Sequence, residues 1–185
     1  KKFYFKQDAI NCLLGDILAR SEICRVSDTR MEEIEFVFNK YGKPFIVDNS
    51  HIHFNITHAG CYVACAIADE SVGIDIEIIQ NANMKIAKRF FTQDETAYII
   101  EGNQHDDRFY EVWTKKESVI KWQGIGLHKP LSSFSVCESS NQERLFLHKV
   151  FHTNHAICHV CSTRATPPSV KIMDAQVLIN SLLKG

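Results

Sequence analysis

The sequence predicts a mixed α+β protein, and three observations carry the prediction. Apolar residues recur at helical spacing over residues 8–26 and again over residues 107–122. Residues 72–78 alternate apolar and polar side chains, as a strand does. Strand-like runs at 131–136, 144–151 and 156–161 then follow the helical ones, so strands and helices are interspersed along the chain.

Taken in order, the first helix carries Ile10, Leu13, Leu14, Ile17 and Leu18 as an apolar stripe, with Asp8 placed to cap it. Residues 33–38 put Ile34, Phe36 and Phe38 on one face and read as a strand. Tyr41-Gly42-Lys43-Pro44 follows as a turn. Residues 54–56 form a short strand ending at Thr57-His58-Ala59-Gly60, while residues 61–68, small and apolar, fit either strand or helix. Residues 72–78 are the clearest strand. Residues 86–91 and 95–100 read as helices, and Gly124 and Gly126 close the long helix over 107–122. A last helical stretch lies beyond Val170.

The chain has 185 residues, 45% of them hydrophobic, enough for one core or for two small halves sharing one. A net charge of -1 gives no basic field for nucleic acid, so any anionic ligand must be held by a local cluster. Seven cysteines, no apolar leader and no apolar run long enough to span a bilayer point to a cytoplasmic protein with reduced thiols and no membrane partner. His58-Ala59 and His155-Ala156 both lie beside small apolar strands, a short internal echo that suggests two related halves.

In the strand Val72-Gly73-Ile74-Asp75-Ile76-Glu77-Ile78, alternation turns the isoleucines one way and Asp75 and Glu77 the other. Two like charges side by side repel unless a cation lies between them, and a hard divalent cation such as Mg²⁺ suits such a pair. An ordinary strand with one solvated face fits the same pattern. In the helix, Trp113, Glu117 and Lys121 fall at i, i+4 and i+8 on one face. Glu117 can complete a three-carboxylate site with Asp75 and Glu77, and Lys121 can meet a phosphate. A solvated Glu-to-Lys pair, worth about 0.2–0.5 kcal/mol, is the plain alternative.

Thr57 and His58, ending a strand before a glycine, offer a hydroxyl, an imidazole and backbone N–H groups to an anion, and Lys43 beside Pro44 is a rigidly placed cation. A turn histidine and a surface lysine are the ordinary readings. His51, His53 and His58, or His155, Cys158, His159 and Cys161, raise the question of zinc. A lone Cys-x-x-Cys in an apolar strand, without a second pair, argues against it.

Together these motifs resemble the 4'-phosphopantetheinyl transferase family, in its larger single-chain, surfactin-synthetase-activating type. Gly73-Ile74-Asp75-Ile76-Glu77 is similar to the first family signature. Trp113-Thr114-Lys115-Lys116-Glu117-Ser118-Val119-Ile120-Lys121 with Gly124-Ile125-Gly126-Leu127 is similar to the second. Leu13-Leu14-Gly15-Asp16, Tyr41-Gly42-Lys43-Pro44, Phe54-Asn55-Ile56-Thr57-His58 and Ala87-Lys88-Arg89-Phe90-Phe91 also fit, so the resemblance runs from about Phe3 to Cys161.

The resemblance implies an α+β fold of two similar α/β halves related by a pseudo-twofold axis, 1–72 and 73–185, with coenzyme A in the cleft of one compact unit. It implies transfer of the phosphopantetheine arm of coenzyme A to a serine of an apo acyl or peptidyl carrier protein by a monomer. Asp75, Glu77 and Glu117 are implied to hold Mg²⁺, for which Mn²⁺ can substitute. Glu117 is the implied base and Lys121 the contact to the attacked phosphate. Thr57 and His58 are implied to hold phosphates, Gly42, Lys43 and Pro44 to flank the nucleotide, and Lys116 to be a further phosphate contact. The basic stretch Lys85, Lys88 and Arg89, with Met84 and Phe91, is the implied carrier-docking helix.

The chain departs from the family pattern in three ways. Thr57 stands where serine is usual, Cys12 stands where threonine is common, and family members begin upstream of Lys1, which implies a missing leading segment. The rival readings are an inactive or truncated fragment that binds coenzyme A or a carrier without turnover and a Mg²⁺-dependent hydrolase of pyrophosphate bonds.

Overall fold

The structure, a computed structural model, describes residues 6–47, 51–137 and 144–182. The start of the family resemblance at Phe3 lies outside them. Helix α1 spans Lys6–Val26, and the short strands β1 (Phe36–Phe38) and β2 (Pro44–Ile46) pair as an antiparallel hairpin. Strands β3 (His53–Ala59) and β4 (Tyr62–Ala68) form a second hairpin. Strand β5 is Gly73–Ile78, followed by helices α2 (Met84–Phe90), α3 (Gln93–Ile100) and α4 (His105–Gln123). Strands β6 (Phe146–His152) and β7 (Ala156–Ser162) join β5 in an antiparallel sheet of order β5-β7-β6, and helix α5 (Ala175–Leu182) follows them. The mixed α+β class read from the sequence is what the structure has.

Helix α1 packs on β3 and β4, and α4 packs on β5 and β7. The side of α1 that is buried is not the stripe of large apolar residues. Asn11, Gly15, Ala19 and Ile23 are buried, while Leu13 is 61% exposed and Ile10 is also exposed. The reason is distance. A Cβ placed on Gly15 would lie 2.8 Å from Ile56 Cγ2, so the helix sits closer to the hairpin than leucines would allow.

Two further expectations are corrected. Residues 33–38 contain only a short strand, because Arg30 and Glu33 cap a 3₁₀ turn at Met31–Glu33. Residues 131–136 are not a strand. Leu131–Ser133 is a 3₁₀ turn, and the carbonyls of Leu131 and Phe134 accept from Lys116 Nζ at 2.7 and 2.5 Å. An ammonium takes the acceptors that a neighbouring strand would have used. Residues 61–68, open between strand and helix in the sequence, are strand β4.

The sheet has two unlike faces. Ile74, Ile76, Cys158 and Val160 pack against Tyr62, Ala64 and Ala66 of β4. On the opposite side Cys161 packs with Val112 and Val119 of α4. Cys158 and Cys161 therefore belong to different cores, which disposes of them as a joint zinc pair. Among the described residues no helix is long and apolar enough to cross a membrane.

Candidate active site

The site lies where β5 crosses α4. Helix α4 stops at Gly124, whose N–H donates to Ile120 O at 2.9 Å and whose positive φ of 67° turns the following chain out of the helix. Strand β5 passes so close that a Cβ on Gly73 would lie 2.0 Å from Ser118 O and 2.4 Å from Trp122 N. Only glycine permits that approach. Two residues further along β5, Asp75 faces the last turn of α4, and Lys121 Nζ lies 2.6 Å from Asp75 Oδ1.

Strand β3 completes the cluster. The Thr57 hydroxyl donates to Asp75 Oδ1 at 3.3 Å and accepts from Lys121 Nζ at 3.0 Å. Thr57 Oγ1 also accepts from the Ile76 N–H at 3.4 Å, and Asn55 Oδ1 accepts from the Ile74 N–H at 2.9 Å. Two side chains of β3 thus serve the backbone edge of β5 in place of a neighbouring strand.

The three carboxyl groups are all uncomfortable as anions. Burial raises Asp75, against the opposing pull of Lys121 and Thr57. Burial and then the Asp75 charge push Glu77 up to about 7, while Lys121 and a hydrogen bond from Trp113 oppose the shift. Burial and then Asp75 also raise Glu117, again opposed by Lys121. Among the described residues, Asp75 Oδ2 is buried without a hydrogen-bond partner. A cation beside these groups would relieve all three effects.

Among the described residues, no three His, Cys, Asp or Glu side chains are grouped so that they could hold a metal ion. Magnesium does not require three, since it commonly takes one or two carboxylates and completes its shell with water and substrate phosphate. The orphan oxygen of Asp75, with Glu77 and Glu117 beside it, fits that demand.

The other candidates divide. His58 follows Thr57 on β3 and is half-buried, its Nε2 lying 4.0 Å from Cys12 Sγ on α1. Gly42 has a φ of 89° in the turn between β1 and β2. Lys43 Nζ donates to the carbonyls of Val72, Lys121 and Trp122 at 3.0, 2.7 and 3.2 Å, closing the C-terminal end of α4, and burial pulls it down to about 8. Lys43 and Pro44 line a cavity of about 200 Å³ with Asn39, His53, Trp122 and Gly124. Lys116 is not brought to the cluster at all. It is fully buried and pairs with Glu95 at 2.8 Å.

The structure adds Asn39 and Asn55, which no motif in the sequence marks as site residues. Asn39 accepts from the N–H groups of Tyr41 and Lys43 at 2.9 Å each and donates to Gly124 O at 2.7 Å, tying the β1–β2 turn to the end of α4. An asparagine two residues before a turn is a signal that could have found it. Nothing local marks Asn55.

Residues 71–177 match the family model described as 4'-phosphopantetheinyl transferase superfamily, and residues 1–71 match 4'-phosphopantetheinyl transferase, N-terminal. The chain is 44% identical over 138 residues to the 4'-phosphopantetheinyl transferase Sfp of Bacillus subtilis (strain 168), covering 74% of this chain and 62% of that protein. It is 39% identical over 142 residues to the 4'-phosphopantetheinyl transferase gsp of Aneurinibacillus migulanus, covering 76% and 59%. It is 32% identical over 111 residues to the 4'-phosphopantetheinyl transferase AcpT of Escherichia coli (strain K12), covering 57% of each. The chain therefore spans about six-tenths of the length of the curated relatives it matches.

Proposed function

Because the chain belongs to the 4'-phosphopantetheinyl transferase superfamily, we propose that it moves the phosphopantetheine arm of coenzyme A onto a serine hydroxyl of an apo acyl or peptidyl carrier protein, releasing 3',5'-ADP. The observation that carries this reading is the meeting of Asp75 with Lys121 at 2.6 Å, flanked by Glu77 and Glu117. The four residues come from the two segments that resemble the family signatures.

The carrier supplies the nucleophile, so the chain needs to align two substrates and manage charge. Asp75, Glu77 and Glu117 would hold Mg²⁺, or Mn²⁺ in its place, and the ion would supply positive charge to the diphosphate of coenzyme A and to the leaving nucleotide. Glu117 accepts the serine proton, directly or through water, as the bond to phosphorus forms. Lys121 presents its ammonium to the phosphate under attack. His58, with the backbone at Thr57, holds phosphate oxygens, since the Thr57 hydroxyl is already given to Asp75, and Gly42, Lys43 and Pro44 flank the nucleotide, Lys43 as part of the wall because its ammonium is already bound to three carbonyls. Lys116, sealed with Glu95, supports α4 from behind.

The reading includes action as a monomer in the cytoplasm, on carrier domains of a peptide synthetase, polyketide synthase or fatty acid synthase, without nucleic acid or membrane. It also includes two halves, 1–72 and 73–185, related by a pseudo-twofold axis. The meeting of the two family models at residue 71 supports the boundary, and the repeated placing of a helix on a sheet, α1 on β3–β4 and α4 on β5–β7, supports the pairing. On α2 the carrier meets Lys85, Lys88 and Arg89 with exposed Phe90, over whose ring the Arg89 guanidinium lies at 5.1 Å. Phe91 is buried and takes no part.

The test is to mix the protein with an apo peptidyl carrier domain, coenzyme A and Mg²⁺ and weigh the carrier by intact-mass spectrometry. The expected result is a gain of one phosphopantetheine group that EDTA prevents. Glu117→Gln is expected to abolish the gain while coenzyme A still binds by calorimetry. Near-normal loading by that variant would overturn the assignment of the base.

A further inference from the structure

Lys121 is held by the protein itself. Its ammonium has three N–H donors, and two are directed at Asp75 Oδ1 and Thr57 Oγ1, at 2.6 and 3.0 Å. Both acceptors sit on strands behind it. The Asp75 side chain is only 5% exposed, whereas that of Lys121 is 28% exposed, so the lysine has a way out and the aspartate does not. Among the described residues the second oxygen of Asp75 is buried without a hydrogen-bond partner. One carboxylate thus has an ammonium on one oxygen and an unsatisfied acceptor on the other.

We propose that Lys121 is a built-in rival of the divalent cation: its ammonium is the counter-ion of Asp75 in the metal-free protein, and a metal ion bound through Asp75 Oδ2 releases it toward the phosphate of coenzyme A. This deepens, and rests on, the function proposed above. Two cations on one buried carboxylate repel each other, and the one on a flexible four-carbon stem is the one that moves. The neighbouring lysines cannot take this part. Lys43 is bound to three carbonyls, Lys115 pairs with Glu111 at 2.7 Å, and Lys116 is sealed with Glu95. The ammonium that counters the metal is then the one that greets the phosphate, so the two ligands are coupled through one side chain, and the coupling is reciprocal.

The inference is tested on the full chain by calorimetric titration of Mg²⁺ and of Mn²⁺ without coenzyme A. Lys121→Gln removes the rival charge and keeps a donor for Asp75. It is expected to bind the metal about tenfold more tightly than the parent protein, within the usual range of such couplings. Lys121→Arg, which keeps the charge, is expected to bind as the parent does, and Lys121→Met replaces Lys121→Gln if that variant does not fold. A merely structural lysine would lower the thermal midpoint without tightening the metal. Unchanged or weaker metal binding by the neutral variant, or no binding by either protein, overturns the inference. The carrier-loading assay is scored separately. Loading by the parent with unchanged metal affinity in the variant sinks only the rivalry, whereas tighter metal without any loading sinks only the transferase reading.

Discussion

At the scale of single residues, Gly73 decides whether Asp75 and Lys121 can meet. The atoms its missing Cβ would strike, Ser118 O and Trp122 N, are backbone of α4 and cannot swing aside. Gly73→Ala must therefore push β5 away from the helix, and overpacking of this kind is expected to cost about 3 kcal/mol. Urea denaturation measures it; a loss below about 0.5 kcal/mol, the scale of a neutral surface change, would show that the approach is less tight than described. Asp75 acts on its neighbours by charge. Its carboxylate is the second cause, after burial, of the high Glu77 pKa. Asp75→Asn keeps the shape and removes the charge, so Glu77 is expected to titrate below about 7 in a carboxyl-carbon NMR titration of the metal-free protein. An unmoved Glu77 would leave burial and the Glu117 charge as its causes.

At the scale of the element, α4 presents adjacent residues to opposite environments. Glu117 joins the carboxylate cluster, while Lys116 points into the protein and ties α3, α4 and the 131–136 segment together through Glu95, Leu131 O and Phe134 O. Glu95 meanwhile accepts from the N–H groups of Thr92 and Val136 at 2.8 Å each. Removing one partner leaves a buried charge uncompensated, so Lys116→Met is expected to cost about 3–5 kcal/mol, and adding Glu95→Gln is expected to recover most of it. Equal costs for the single and double variants would mean that the pair carries no special debt. The contrast marks what the sequence can tell. The face of Trp113, Glu117 and Lys121 and the shared side of Asp75 and Glu77 follow from period alone, and both were legible. The destinations of Lys116 and Lys43 were not, because they depend on carbonyls and a carboxylate brought in by other elements. The buried side of α1 was misjudged for a related reason. Size and hydrophobicity favour Leu13 as a core residue, but a close helix-to-hairpin contact selects Gly15 and Ala19.

At the scale of the whole molecule, α4 covers a sheet that carries two displaced titrations of opposite sign. His159, cross-strand partner of Asp75, is fully buried and shares a 2.8 Å hydrogen bond between Nδ1 and Thr114 Oγ1. Burial pulls it down to about 3. The unfolded chain therefore binds a proton that the folded chain refuses between about 3 and 6.5, so His159 contributes stability above 6.5 that is lost as pH falls toward 3. Glu77 works the other way. The folded, metal-free protein holds a proton there up to about 7 that the unfolded chain releases near 4.5, so stability falls as pH rises through that window. Between 4.5 and 6.5 the two slopes oppose each other, and a profile of the parent protein alone would hide both. Variants separate them in metal-free urea denaturation over a pH series. His159→Asn, whose amide can keep the bond to Thr114, is expected to close its stability gap to the parent as the pH drops from 6.5 toward 4, where the parent loses the advantage of a neutral imidazole. Glu77→Gln is expected to gain on the parent as the pH rises from 4.5 to 7, where the parent must ionise a half-buried carboxyl beside Asp75. Added Mg²⁺ should cancel that second gain, because a cation at the carboxylates favours the ionised form that burial penalises. If the His159→Asn gap held constant with pH, the imidazole would be titrating alike in both states and the sealed contact between α4 and β7 would have to open below neutrality.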